Sequence, residues 1–189
     1  KGLNEMFDLQ LTEQQMAARV GRLGADCPVF IANIPVYAEG KGDEFTSLQA
    51  PLLQKQYFAL PPVGSVLPPS ISLSIPASLD GSWLVLVKPN DFISTREAYA
   101  AVTPAPSKVS LNEILSQGVR KWRGQMVNDF EASVFPSHPV IQGICEQMYM
   151  LGASYSAMSG SGNTVYGLFR RQPMLGDVFA DYFQWQCRL

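Results

Sequence analysis

Six prolines, Pro51, Pro61, Pro62, Pro68, Pro69 and Pro76, fall within the stretch from Ala50 to Pro76, which carries almost no charge. Each fixes φ and removes a backbone donor, so no regular helix can run through the stretch. Its many apolar residues suggest an insertion or linker that lies along a surface. This segment divides the 189-residue chain into a short amino-terminal part and a longer carboxy-terminal part. With 47% hydrophobic and 16% charged residues, the remainder can bury a core as one large domain or two small ones.

Several function classes are disfavoured by charge and composition. The net charge is -2 and the longest basic run is Arg170-Arg171, so a nucleic-acid footprint is not expected. No apolar stretch approaches the roughly 20 residues that span a bilayer, since Lys88 ends the run that starts at Trp83. Cys27, Cys145 and Cys187 lie far apart without a C-x-x-C, which argues against a disulfide framework or a zinc site and fits a reducing compartment. No metal ligands stand at useful spacing.

The chain opens on Lys1 and runs into Gly2-Leu3-Asn4-Glu5-Met6-Phe7, which reads as the middle of an amphipathic helix with Leu3, Met6 and Phe7 on one face. The expectation is a cut through a longer protein. A second helix begins after Thr12, whose hydroxyl and the Gln15 side chain form a capping-box pattern, and ends near Gly24. Val29-Phe30-Ile31 and Val36-Tyr37-Ala38 read as strands, with Gly40 and Gly42 closing a turn.

Beyond the prolines, Trp83 to Val87 reads as a buried strand stopped by Lys88-Pro89. Ser94 or Thr95 can cap a helix from Arg96 to Ala101, and Leu111 to Leu115 suggests another. Helical signals return at Val127 to Glu131 and from Pro139 to Leu151, the latter with Ile141, Ile144, Cys145 and Met148 on one face and Gly152 at its end. Strands are expected at 154–158 and 164–169, a helix from Pro173 to Asp181, and a last strand near Phe183 to Cys187. This order suggests a split β-α-β sandwich of the ferredoxin-like kind.

Two segments carry chemistry. In Ser156 to Gly167, the small residues Ser159, Gly160, Ser161 and Gly162 separate two apolar strands and can present backbone N–H groups to an anion; a plain hairpin turn is the bland alternative. In Leu23 to Phe30, Asp26 sits at a corner between small residues and Pro28, where it could orient or accept a hydroxyl proton; a turn carboxylate is its bland alternative. His138, the only histidine, precedes Pro139 at a helix start and reads as a surface or capping residue, and Cys27 reads as a packed small residue. Asn128-Asp129-Phe130-Glu131 reads as structural, with carboxylates favoured by the helix dipole and Phe130 facing the core.

Taken together, Gly24-Ala25-Asp26-Cys27-Pro28 and the segment Ser156 to Gly167 resemble the GHMP small-molecule kinases. Ala38 to Gly42, Val87-Lys88-Pro89 with Ser94 to Tyr99, and Asn128 to Glu131 point the same way, over Lys1 to about Phe169 apart from the proline-rich stretch. More narrowly, the chain resembles the branch acting on a cytidine diphosphate-linked methylerythritol. The resemblance implies an α+β chain. Residues 1–48 would be a remnant of the nucleotide lobe, 49–80 a proline-rich insertion or linker, and 81–189 a ferredoxin-like carboxy-terminal lobe.

It further implies transfer of the γ-phosphoryl group of ATP, with Mg2+, to a hydroxyl of that small molecule, in a bacterial cytoplasm or a plastid. Asp26 would orient the acceptor hydroxyl and take its proton late. Thr95 would contact substrate, with Ser94 able to fill the place by a small shift, and Ser159, Gly160, Ser161 and Gly162 would line the active site. The resemblance puts the phosphate-cradling loop and a lysine partner for Asp26 ahead of Lys1, so ATP would be held mainly outside this chain and the chain alone would be inactive. Two other readings stay open: a homoserine-, mevalonate- or galactose-type kinase, and a non-catalytic ferredoxin-like ligand-binding module.

Overall fold

The computed structural model describes residues 1–32, 36–40, 42, 44–47, 79, 81–100, 102, 103, 105, 107 and 109–189. The chain forms two compact units, Lys1–Ile75 and Pro76–Leu189. The proline-rich stretch from Ala50 to Pro76 lies outside the described residues.

In the first unit, helix α1 (Gly2–Met6) leaves Leu3, Met6 and the following Phe7 exposed. Helix α2 (Glu13–Val20) starts on the capping box: Thr12 Oγ1 accepts from Gln15 N at 3.2 Å and Gln15 Oε1 accepts from Thr12 N at 3.0 Å. α2 buries Ala17 and gives way to turns at Gly21, earlier than the expected end near Gly24. Val29-Phe30-Ile31 is not a strand but part of a short helix, α3 (Val29–Ala32). Pro28 explains the difference: its fixed φ suits a first helical turn, and i→i+3 bonds from Val29, Phe30 and Ile31 to Asp26, Cys27 and Pro28 wind the segment up. Strands β1 (Val36–Glu39) and β2 (Glu44–Ser47) then pair antiparallel, Val36 opposite Ser47 and Glu39 opposite Glu44.

The second unit is a four-stranded antiparallel sheet in the order β4-β5-β3-β6, built from β3 (Trp83–Lys88), β4 (Tyr155–Met158), β5 (Val165–Phe169) and β6 (Phe183–Arg188). β5 lies between β3 and β4, and β3 lies between β5 and β6, which is the split β-α-β arrangement. The first crossover is helical: α4 (Thr95–Ala100), α5 (Leu111–Leu115), a 3₁₀ turn at Val119–Lys121, α6 (Asp129–Val134) and α7 (Pro139–Met150). The second crossover is not. The expected helix from Pro173 to Asp181 is replaced by turns with single i→i+3 bonds such as Val178 N to Leu175 O, because Gly176 takes φ +52° between them. Leu175 and Phe179 are buried all the same.

Both faces of the sheet are covered. Val85, Val87, Met158, Val165 and Phe169 point to one face, where Ile141, Ile144, Cys145 and Met148 of α7 pack on them. Full burial of each such side chain contributes about 1.5–3 kcal/mol. Tyr155, Ala157 and Leu168 point to the other face and are covered by Ile114 of α5 and by Trp122, whose indole meets the Tyr155 ring edge-on at 5.8 Å. Among the described residues, no helix is long and apolar enough to cross a membrane.

Edge strand β4 is sealed by side chains in place of a neighbouring strand. Tyr149 Oη accepts from Ser156 N and donates to Ser156 O, at 3.1 and 3.0 Å. Glu131 Oε1 accepts from Met158 N at 2.8 Å, and Asn128 Nδ2 donates to Met158 O at 2.8 Å. Backbone groups that would otherwise template another strand are thus satisfied internally.

Candidate active site

β4 runs directly into the glycine loop. Ser159 N donates to Thr164 O at 2.8 Å and Gly162 N to Ser159 O at 3.1 Å, closing the turn. Among the described residues, the N–H groups of Gly160 and Ser161 have no acceptor, so two adjacent donors remain for a ligand. Gly162 has φ +96°, and a Cβ there would come within 2.7 Å of Ile93 Cδ1 and 2.9 Å of Met158 Sδ. Both conformation and space call for glycine at this position.

Three side chains hold the loop from outside. Asn128 caps α6, its Oδ1 accepting from Phe130 N at 3.0 Å, while its Nδ2 donates to Met158 O and to Gly160 O, each at 2.8 Å. Glu131 grips Met158 N, and half-burial raises its carboxyl pKa against the opposing effect of that hydrogen bond. Asn128 and Glu131 therefore do more than answer a helix dipole. The third is Asn163, whose Nδ2 donates to Pro89 O at 3.0 Å and also to Asp91 O. The sequence signal for the first two was a capping residue three positions before an acid; the signal for Asn163 was only its place beside the glycines.

The 89–97 segment tied by Asn163 carries the candidate substrate residue. Ser94 Oγ accepts from Glu97 N at 3.1 Å and so caps α4, while Thr95 stands exposed in the first turn. His138 braces the same segment. Its Nδ1 meets Asp91 Oδ2 at 2.7 Å and its Nε2 meets Glu97 Oε1 at 3.0 Å, with only 13% of the side chain exposed. The histidine is the residue before α7, yet its side chain makes no capping bond. It clamps two carboxylates, a role that neither a surface nor a capping residue would have.

The hydrogen bond to Glu97, then that to Asp91, raises the His138 pKa above 6.5, against a smaller opposing effect of burial. A raised folded-state pKa stabilises the fold fully below the unfolded value, and that stabilisation is lost as pH rises through the folded one. Urea unfolding should therefore show His138→Gln least stable relative to the parent at about pH 5.5, with the gap shrinking as pH climbs beyond about 6.5. A gap that does not shrink as pH climbs from about 6.5 through the raised folded value would contradict the clamp.

Asp26 belongs to the first unit, in the turn between α2 and α3 and not between a helix and a strand. Its side chain is exposed, and among the described residues it takes no hydrogen-bond or salt-bridge partner. A Cβ on Gly42, whose φ is +82°, would sit 2.8 Å from Asp26 Oδ1, so the glycine of the β1–β2 turn makes room for the carboxylate. Cys27 beside it is a half-buried free thiol. The second unit links Thr95 with Ser159, Gly160, Ser161 and Gly162 through Asn163 and the 89–97 segment, whereas Asp26 stands on the first unit. Among the described residues, no three or more His, Cys, Asp or Glu cluster as a metal site.

A split β-α-β sheet with a glycine loop after its β4 strand is the setting in which residues 111–176 match the family described as GHMP kinases C terminal. Residues 111–176 are thus similar to the carboxy-terminal domain of the GHMP kinases. Within that superfamily the likeness is to the 4-diphosphocytidyl-2-C-methyl-D-erythritol kinases. The protein of that description from Parabacteroides distasonis is 39% identical over 191 residues, which cover 100% of this chain and 60% of the relative. The one from Bacteroides thetaiotaomicron is 41% identical over 178 residues, 94% of this chain and 55% of the relative. A crystal structure of 4-(cytidine 5'-diphospho)-2C-methyl-D-erythritol kinase superposes with a TM-score of 0.61 at 20% identity, covering 98% of this chain and 59% of that one. The chain thus spans 55–60% of the length of these two curated relatives.

Proposed function

We propose that this chain is the carboxy-terminal part of an ATP-dependent kinase that phosphorylates the 2-hydroxyl of 4-diphosphocytidyl-2-C-methyl-D-erythritol in non-mevalonate isoprenoid biosynthesis, in the cytoplasm. The observation that carries the proposal is the loop Ser159–Gly162, held by Asn128, Glu131 and Asn163 with two N–H groups free, in a chain that matches such kinases along its whole length. Residues 1–48 then belong to the nucleotide lobe and 81–189 to the carboxy-terminal lobe.

In this reading the free N–H groups of Gly160 and Ser161 donate to phosphate oxygens of a bound ligand, and the donor chemistry of the loop fits such an anion. ATP supplies the γ-phosphoryl group and Mg2+ neutralises its charge. Asp26 receives a hydrogen bond from the acceptor hydroxyl, orients its oxygen towards phosphorus, and takes the proton as the new O–P bond forms and the bond from the γ-phosphorus to the departing ADP oxygen breaks. Thr95 contacts the substrate from the first turn of α4, while Ser94 is occupied as the cap. ATP and its metal are held mainly by groups outside this chain.

The test is an ADP-release assay on the protein extended to its relatives' length. Turnover is expected with the cytidine diphosphate-linked methylerythritol and not with homoserine, mevalonate or galactose. The chain by itself is expected to be inactive. Turnover of another acceptor in preference, or near-normal activity of the chain alone, would overturn the assignment.

A further inference from the structure

Two adjoining cavities open at the end of the sheet away from the glycine loop. One, of about 300 Å³, is lined by Arg120, Lys121, Ser154, Leu168 and Phe169 among others. The second, of about 870 Å³, shares Arg120, Ser154, Phe169 and Arg170 with it and adds Arg171 and Met174. β5 starts at Val165 beside the loop and ends at Phe169 beside Arg170; at ~3.3 Å per residue the cavities lie roughly 15 Å from the loop.

Arg120, Lys121, Arg170 and Arg171 converge on this groove, and all four are exposed. Among the described residues no carboxylate lines either cavity, and none of the four cations takes part in a salt bridge. Like charges gathered without a counter-ion repel one another, weakly where water screens them, and a bound anion would relieve that repulsion. The C-terminal end of α7 does not account for them. Its carbonyls at Gln147, Met148 and Tyr149 already accept from Leu151, Ala153 and Gly152, and a single cation would answer its dipole. The walls between the cations are mixed: Ser154 and Gln172 line them beside the largely buried Leu168 and Phe169, and Met174, 92% exposed, stands at the rim.

We propose that this groove binds a small organic anion in which a phosphate or diphosphate adjoins an apolar portion. The guanidinium groups match phosphate oxygens two at a time, and the apolar portion lies against Met174 at the rim. The volume is that of a small-molecule site, and the net charge of -2 disfavours an extended polyanion. Nothing in this inference depends on phosphoryl transfer.

Calorimetric titration with hexyl phosphate tests it, using methyl phosphate and hexanol as the two half-ligands. Hexyl phosphate should bind at least about tenfold more tightly than methyl phosphate, since each buried methylene contributes ~0.8 kcal/mol, and hexanol should not bind measurably. Arg120→Gln/Arg170→Gln should weaken hexyl phosphate at least about tenfold with an unchanged unfolding midpoint. Arg19→Gln/Arg22→Gln removes the same charge from the other unit and should bind as the parent does. Equal weakening in both double variants would reduce the effect to net charge and overturn the site. So would full binding in Arg120→Gln/Arg170→Gln, which would belong to the glycine loop, or binding to phosphatidate vesicles but not to the free phosphate. A fall in unfolding midpoint without a fall in affinity would assign the arginines to α7 and also overturn it.

Discussion

Asp26→Asn is expected to lower turnover about 10²–10⁴-fold in the protein extended to its relatives' length, while the unfolding free energy stays within about 0.5 kcal/mol of the parent. The separation of the two effects follows from the geometry. Asp26 is exposed and unpartnered among the described residues, so removing its charge breaks no hydrogen bond or ion pair among them. Asparagine keeps the shape but can no longer take a proton from an acceptor hydroxyl. KM for the acceptor should change far less than kcat, because positioning and late proton transfer act in the transition state. Gly42→Ala is the companion variant. Its new Cβ would stand 2.8 Å from Asp26 Oδ1, pushing the carboxylate aside, and kcat should fall with the charge still present. Normal turnover by Asp26→Asn would remove the residue from the mechanism.

Much of this fold is legible in the sequence wherever one local rule acts alone. The Thr12 and Gln15 capping box forms as its spacing requires, and the α7 stripe Ile141, Ile144, Cys145 and Met148 is buried to the last residue. Misreadings came where two local rules competed over a few residues. Val29, Phe30 and Ile31 favour a strand by side-chain type, but Pro28 starts a turn immediately before them and a four-residue segment follows its start. Leu175 and Phe179 have helical spacing, but Gly176 between them takes φ +52° and only separate turns form.

Covering both faces of the sheet was foreshadowed by β3, where Leu84 and Leu86 alternate with Val85 and Val87. A strand apolar on both sides needs two layers over it. The site divides in the same way. Its glycines show in the sequence because their conformations are local, whereas the candidate Thr95 is named only by the family resemblance. The anchors of the loop do not, since Asn128 reaches Gly160 across 32 residues and Asn163 reaches Pro89 across 74, distances over which neither capping nor periodicity speaks.

Those anchors carry the second large effect. Asn128→Ser is expected to destabilise the second unit by about 2 kcal/mol, and Asn128→Ala by about 3 kcal/mol. Serine retains an N-cap acceptor for α6 but cannot supply the two donors that Asn128 gives to Met158 O and Gly160 O. The shared loss is therefore that of two loop bonds, and the extra loss in alanine is that of the cap. Glu131→Gln separates the neighbouring contact: its amide oxygen can still accept from Met158 N, so it should remain near the parent, whereas Glu131→Ala leaves that N–H without its partner. Amide hydrogen exchange is the sharper readout. In Asn128→Ser, exchange at the bonded amides of Met158, Ser159 and Gly162 should accelerate at least about tenfold, the counterpart of ~1.4 kcal/mol, while the α7 amides slow or hasten only with global stability. Because the loop then samples conformations in which its free N–H groups diverge, turnover in the extended protein should fall with KM rising, a pattern opposite to that of Asp26→Asn. Unchanged exchange at Met158, Ser159 and Gly162 in Asn128→Ser would show that the loop holds its shape without α6.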